Sequence, residues 1–211
     1  VYKRQAVILG IFLYIVFRYQ NTSPERLPNK YSQVIPQVHS RIDMDGDGID
    51  DQADILQSAL DYVAAKPGYK SKYYQTGYPD DGYGVCTDVV AFALKGAGYD
   101  LMTLVDEDIR ADQASYNIEQ PDKNIDFRRV RNLKVYFEHE AISLTTDLSE
   151  IEEWQGGDIV IFQDHIGIVS DRRNENGVPY VIHHNSPWQK KYEQDILEKR
   201  DDLVGHYRIS Q

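Results

Sequence analysis

One cysteine, Cys86, stands among 211 residues. That count excludes an intrachain disulfide and a thiolate zinc cluster, so any fold must rest on a hydrophobic core and, at most, a bound ion. It leaves Cys86 two readings, a small buried apolar residue or a reactive thiol. Once the amino-terminal segment is set apart, the remaining length suits one globular domain. The 34 acidic residues outnumber the 23 basic ones, for a formal charge of -11. Such a chain repels nucleic-acid phosphates, and no nucleic-acid partner is expected.

Lys3 and Arg4 precede an apolar run, residues 6–17 (AVILGIFLYIVF), that Arg18 ends. A charged flank followed by a segment apolar on every face predicts a membrane anchor or signal segment over residues 1–20. The run is shorter than the about 20 residues of a full span, and no small-residue cleavage site follows it. The positive flank predicts an extracytoplasmic domain tethered to the cytoplasmic membrane, or secreted if the segment is cleaved. Residues 21–37 (NTSPERLPNKYSQVIPQ), polar and with three prolines, predict a linker. The domain itself is then expected over residues 38–211.

Residues 43–54 read DMDGDGIDDQAD, with aspartates at loop positions 1, 3, 5, 9 and 12 and Gly48 at position 6. Calcium needs six to eight hard oxygens around one point, and this spacing wraps a chain around such an ion while glycine permits the sharp turn. The candidate ligands are the side chains of Asp43, Asp45, Asp47, Asp51 and Asp54, with the carbonyl of Ile49, around a structural Ca2+. The loop resembles the aspartate-rich loops of thrombospondin type-three and dockerin modules, and departs from the EF-hand by ending in Asp54 in place of glutamate. The plainer reading is an acidic turn capping a helix over residues 55–65, whose apolar residues at 55, 56, 59, 60 and 63 recur at helical spacing.

Tyr83 to Gly98 read YGVCTDVVAFALKGAG. Val89, Val90, Ala93, Leu94 and Ala97 fall on one helical stripe, which puts Cys86 at or just before a helix amino terminus. Unpaired amides and the dipole there favour a thiolate. Further on, residues 154–171 (WQGGDIVIFQDHIGIVSD) predict a Gly-Gly turn and two strands, the second opening on His165, and a third strand follows at 179–184 (PYVIHH). Adjacent antiparallel strands hold facing side chains about 5 Å apart, so His165 and His183 or His184 can share a face. A nucleophile, a base and a group that orients the base are the parts of a covalent hydrolase. Cys86, His165 and His183 fill those roles, with Asn185 and His184 as other candidates for the third. Tyr83, Asp88 and Asn185 flank these segments as candidate substrate-binding residues, although dipole pairing in the first turn is the simpler reading of Asp88.

Between the two segments lies a long stretch, residues 100–153, with a helix expected over residues 133–141. Arg128, Arg129 and Arg131 are the densest cationic patch, suited to a substrate carboxylate or to pairing with Asp126, Glu138 or Glu140. The tail GHYRI, residues 205–209, reads as a closing strand, with His206 as packing or surface.

The succession of YGVCTDV, GGDIVIF, HIGIVS and VIHH resembles the NlpC-type cell-wall peptidases of the papain-like group. GVCTDVV, NIDFRRVRNL, GDIVIF, HIGIVSD and GHYRI resemble the bacterial domain of unknown function 1287 family, over roughly residues 40–211. The resemblance implies an α+β fold of papain-like, NlpC type, in which the helix bearing the nucleophile packs on an antiparallel sheet. It implies a cysteine amidase or peptidase acting on peptide or isopeptide bonds of peptidoglycan type in the cell envelope. Where the NlpC-type pattern has Asp-Cys-Ser-Gly, this chain has Val85, Cys86, Thr87 and Asp88. The rival expectation is a calcium-dependent envelope binding or adhesion module with an inactive cysteine pocket.

Overall fold

The computed structural model describes residues 2–19 and 30–211. Helix α1 (Tyr2–Tyr19) is followed by α2 (Asp51–Ala64), the short strands β1 (Gly68–Tyr69) and β2 (Tyr83–Gly84), and α3 (Cys86–Gly96). Four more helices follow: α4 (Leu101–Ala111), α5 (Gln113–Tyr116), α6 (Lys123–Asp126) and α7 (Val130–Glu140). The remaining strands are β3 (Ile142–Ser143), β4 (Ile159–Phe162), β5 (Ile166–Arg173), β6 (Pro179–Ile182), β7 (Glu193–Gln194) and β8 (Leu203–Arg208).

Among the described residues no helix is long and apolar enough to cross a membrane. This corrects the anchor expected at residues 1–20 and the tethered, extracytoplasmic placement drawn from it. The physical reason is reach: the apolar run within α1 rises only about 18 Å, against about 30 Å of bilayer hydrocarbon. Residues 21–29 of the expected linker lie outside the described residues. Its remainder packs on the domain. Ile35 is buried, the Tyr31 hydroxyl donates to the Glu175 carbonyl at 2.5 Å, and Gln155 Nε2 donates to the Pro36 carbonyl at 3.3 Å.

Strands β3 to β8 form one antiparallel sheet in the order β3-β8-β4-β5-β6-β7. The register sets Ile159 opposite Ile168 and Ile161 opposite Ile166. These side chains, with Ile182, meet Ile55, Ala59, Val89, Val90 and Leu94 of α2 and α3 in the main core. Val160, Phe162, Val169 and Val181 point to the opposite face and pack with Trp154, Ile196 and Leu197. Burial on both faces is why IVIF reads as an unbroken apolar run in place of an alternation. Helices α2 and α3 pack on each other, and α3 lies along β5. The fold is thus α+β, with helices on an antiparallel sheet. Helix α2 starts four residues before the expected Ile55, because Asp50, extended at φ -77° and ψ 147°, caps it by accepting from the Ala53 amide.

A buried carboxylate, Asp158 at the head of β4, ties sheet to helices. It accepts from Arg208 Nε at 2.7 Å and Nη2 at 2.9 Å, His206 Nε2 at 3.0 Å, Gln52 Nε2 at 2.8 Å and the Gln155 amide at 2.8 Å. His206 also stacks on Trp154 with centroids 3.9 Å apart.

Candidate active site

Cys86 is the first residue of α3, after Val85 in an extended conformation. Valine has no side-chain acceptor, so Asp88 closes the helix start instead, its Oδ2 accepting the Val85 amide at 2.8 Å. Both oxygens of Asp88 are also held by Arg128, Nε to Oδ1 at 2.6 Å and Nη2 to Oδ2 at 2.9 Å, and both side chains are buried. Such a bidentate fork fixes direction as well as charge. Asp88 therefore fixes the start of the helix that carries the cysteine, in line with the simpler reading of its place in the first turn. Arg128 finds a partner that the sequence reading did not name. Gly84 completes the turn, since a Cβ there would stand 2.2 Å from the Tyr62 hydroxyl.

Burial pushes the Cys86 thiol up to about 11, against an opposing pull from the backbone amides of Ile166 and Thr87. The residue keeps partial solvent contact.

His165 immediately precedes β5, and its Nε2 lies 2.9 Å from Nδ1 of His183, just past the end of β6. The rings meet edge to face, 4.9 Å apart. His183 Nε2 in turn lies 3.3 Å from Gln194 Oε1 on β7, and Gln194 Nε2 donates to the Lys191 carbonyl at 2.8 Å. The chain of bonds assigns the tautomers. The Gln194 amide is oriented by Lys191, so its oxygen accepts from His183 Nε2–H; neutral His183 then accepts at Nδ1, and His165 donates from Nε2. Nδ1 of His165 is left as a bare lone pair. Burial holds both rings neutral, His183 down to about 3 and His165 well below the ordinary imidazole range, where the neighbouring His183 adds to the effect.

Cys86 and His165 come from neighbouring elements, since the thiol is within reach of the amide of Ile166, the residue after His165. Among the described residues no hydrogen bond joins the two side chains. His184 is buried between Tyr69 and Tyr192, both edge-on at 5.2 and 5.0 Å. Tyr83 is exposed, with Lys70 Nζ 5.3 Å from its ring centroid. Asn185 is exposed, and its amide donates to Gln189 Oε1 at 2.6 Å. Sequence reasoning missed Gln194, which lies in a two-residue strand without a periodicity to mark it.

In the acidic loop, carboxylate oxygens of Asp43, Asp45 and Asp47 lie within 4.8 Å of one another, an arrangement able to chelate a divalent cation. Asp43 gathers the loop by accepting the amides of Gly46, Asp47 and Gly48 at 2.8, 3.1 and 2.9 Å, and Gly48 has φ +95°. Asp54 is pushed up to about 6, first by burial and then by the charges of Asp47, Asp45, Asp43 and Asp51. Its hard oxygens and crowded charge suit a cation. Asp51 is committed elsewhere: it accepts from the Met44 amide at 2.8 Å, the Tyr99 hydroxyl at 2.5 Å and the Ser210 hydroxyl at 3.0 Å.

A helix-start cysteine against an antiparallel sheet that carries a histidine pair defines an α+β domain consistent with a general papain-like arrangement. The model of the family described as Domain of unknown function (DUF1287) matches residues 56–209, and the chain belongs to that family. It is similar to "Uncharacterized protein YijF" of Escherichia coli (strain K12), 35% identical over 167 residues that cover 73% of this chain and 80% of that protein. No solved structure matches the chain.

Proposed function

We propose that the protein is a cysteine hydrolase of NlpC-like type that cleaves amide bonds in peptides through Cys86, His165 and His183. The observation that carries this reading is the His165–His183–Gln194 chain, which leaves a neutral base with a bare Nδ1 beside the strand start that the thiol touches. A neutral thiol beside a neutral imidazole is a general-base arrangement, not a preformed ion pair. Sulfur and Nδ1 close to hydrogen-bond distance as substrate binds, a tightening common in catalytic sites. The thiol proton then passes to Nδ1 as sulfur attacks the carbonyl carbon. The oxyanion meets the free amide at the start of α3. The C–N bond breaks, the amine leaves with the proton from Nδ1, and water hydrolyses the thioester with His165 again as base. Peptides of peptidoglycan type are the first substrates to screen, on the strength of the NlpC-type sequence resemblance.

The test is the pH dependence of iodoacetamide alkylation at Cys86, in the wild type and in His165→Ala. Labelling at pH 7 that His165→Ala slows supports the reading. Labelling at the same rate in both proteins at every pH sinks it.

A second reading, a calcium-dependent binding module with an inert cysteine pocket, is favoured by the Asp43, Asp45 and Asp47 cluster and by the raised thiol without a histidine hydrogen bond. Calcium-dependent capture of peptidoglycan fragments by a protein whose thiol stays inert supports it.

A further inference from the structure

A pocket of about 170 Å³ lies between the end of α2 and the loop after β6, walled by Lys66, Tyr69, His184, Pro187, Lys190 and Tyr192. It is smaller than the about 300 Å³ and upward of sites that enclose a whole small molecule, so it suits one side chain of a larger ligand. It adjoins the nucleophile: β1 runs parallel to β2 with Tyr69 opposite Gly84, two residues before Cys86. The Tyr69 phenol also feels the thiol's charge, after the larger effect of burial.

Three features of the wall point to a ligand. His184 is 1% exposed and its Nδ1 has no hydrogen-bond partner, an arrangement the fold does not need for its own sake. Lys66 lines the pocket just past the end of α2, and it has no acidic partner among the described residues. Finally, Lys66, Lys70, Lys72, Lys190 and Lys191 fall in the two short segments around this pocket, in a chain of net charge -11. Lys72 is paired with Asp81 and Lys70 lies over Tyr83, which leaves Lys66 the clearest cation for an incoming group.

We propose that this pocket is a specificity subsite for a peptide side chain that carries a carboxylate, held next to the bond presented to Cys86. The Lys66 ammonium meets the carboxylate, and the Tyr69, His184 and Tyr192 rings enclose the aliphatic stem. The word subsite rests on the hydrolase reading; binding of the acidic side chain does not.

Two arms test it. In the first, Cys86 is alkylated by anionic iodoacetate and by neutral iodoacetamide at low salt. The iodoacetate-to-iodoacetamide rate ratio is expected to fall by about threefold or more in Lys66→Gln and in 0.5 M NaCl, and to return in Lys66→Arg. In the second arm, Cys86→Ser is titrated with acetyl-Ala-Glu-Ala-amide and acetyl-Ala-Gln-Ala-amide, with the imidazole resonances of His184 followed by NMR. The glutamyl peptide is expected to shift them, with about threefold or more loss of affinity in Cys86→Ser/Lys66→Gln. A thiol inert to both reagents overturns the hydrolase reading and leaves the subsite to be decided by the second arm. Equal binding of the two peptides, or affinity unchanged by Lys66→Gln, overturns the subsite.

Discussion

His165 donates from Nε2 to Nδ1 of His183 across 2.9 Å, and that single bond decides which nitrogen of His165 remains bare. Replacing His183 by Phe keeps a ring of similar size but removes the acceptor. His165 then loses its fixed tautomer, and Cys86 alkylation at pH 7 is expected to slow on the order of 100-fold. Gln194→Leu, one bond further out, is expected to give a smaller loss in the same direction. Equal alkylation rates in all three proteins, read by mass spectrometry, would sink the relay.

The Asp88–Arg128 fork is buried at the foot of α3. Arg128→Leu strands a carboxylate, and a loss of about 3–5 kcal/mol in urea unfolding is expected. Asp88→Leu/Arg128→Leu should recover much of that loss while leaving the start of α3 poorly fixed. Stability restored but thiol reactivity still impaired is the pattern that separates the positioning role from a merely structural one.

Acid sensitivity should come from the histidines. Burial holds His183 down to about 3, His184 down to about 4, and His165 well below the ordinary value. Unfolding returns all three to about 6.5. Below pH 6.5 the unfolded chain binds more protons than the folded one, so stability falls as pH drops and the fall levels off near the folded values. The slope is about 1.4 kcal/mol per pH unit for each ring. Urea midpoints between pH 7 and pH 4 measure it, and a curve flat until the carboxylate range would contradict it.

Asp43 and Asp45 should differ in a calcium titration. Asp45 accepts one loop amide, that of Asp47 at 3.2 Å, whereas Asp43 accepts three. At a calcium concentration about 100 times Kd, binding adds about 2.7 kcal/mol to wild-type stability. Asp45→Ala is expected to lose that gain and little else; Asp43→Ala should also unfold more readily in chelator. Identical melting curves with and without calcium would exclude a cation at the loop.

The Tyr62 hydroxyl is buried without a hydrogen-bond partner, while its ring stacks on Phe92 with centroids 4.8 Å apart. Tyr62→Phe keeps the stack and removes the orphan, so stability should hold or rise by about 1 kcal/mol. The same change makes room at Gly84, and Gly84→Ala should cost less in the Tyr62→Phe background. A double-mutant cycle with no coupling would show that the clash is relieved elsewhere.

Much of the frame was legible in the chain itself. The stripe Val89, Val90, Ala93, Leu94 and Ala97 marked α3 because one face of a helix meets the core every third or fourth residue. The two strands expected within residues 154–171, the second opening on His165, coincide with β4 and β5 to within a few residues, since both ends carry turn formers. Helix α4 went unread although Leu101, Val105 and Ile109 keep a four-residue interval, because acidic residues Asp106, Glu107 and Asp108 interrupt its apolar stripe. The site was legible as far as Cys86 and the histidines, which have chemistry of their own. Gln194, the Asp88–Arg128 fork and the cluster around Asp158 depend on residues 40 or more apart, or on strands of two residues, and no local pattern announces such meetings. The amino-terminal segment misled in the other direction, because its charged flank and all-round apolar character outweighed a run already short of a full span.

Strand β8 is the last strand in chain order, yet it lies inside the sheet, between β3 and β4. It also carries His206 and Arg208, two of the donors to Asp158. Before β8 is in place, β4 to β7 can pair while one edge of β4 stays open and the Asp158 carboxylate lacks the Arg208 guanidinium. An open edge is a template for another chain. A chain in which β8 has not yet docked is therefore in an aggregation-prone form, and the arrival of that strand both closes the sheet and neutralises its buried charge.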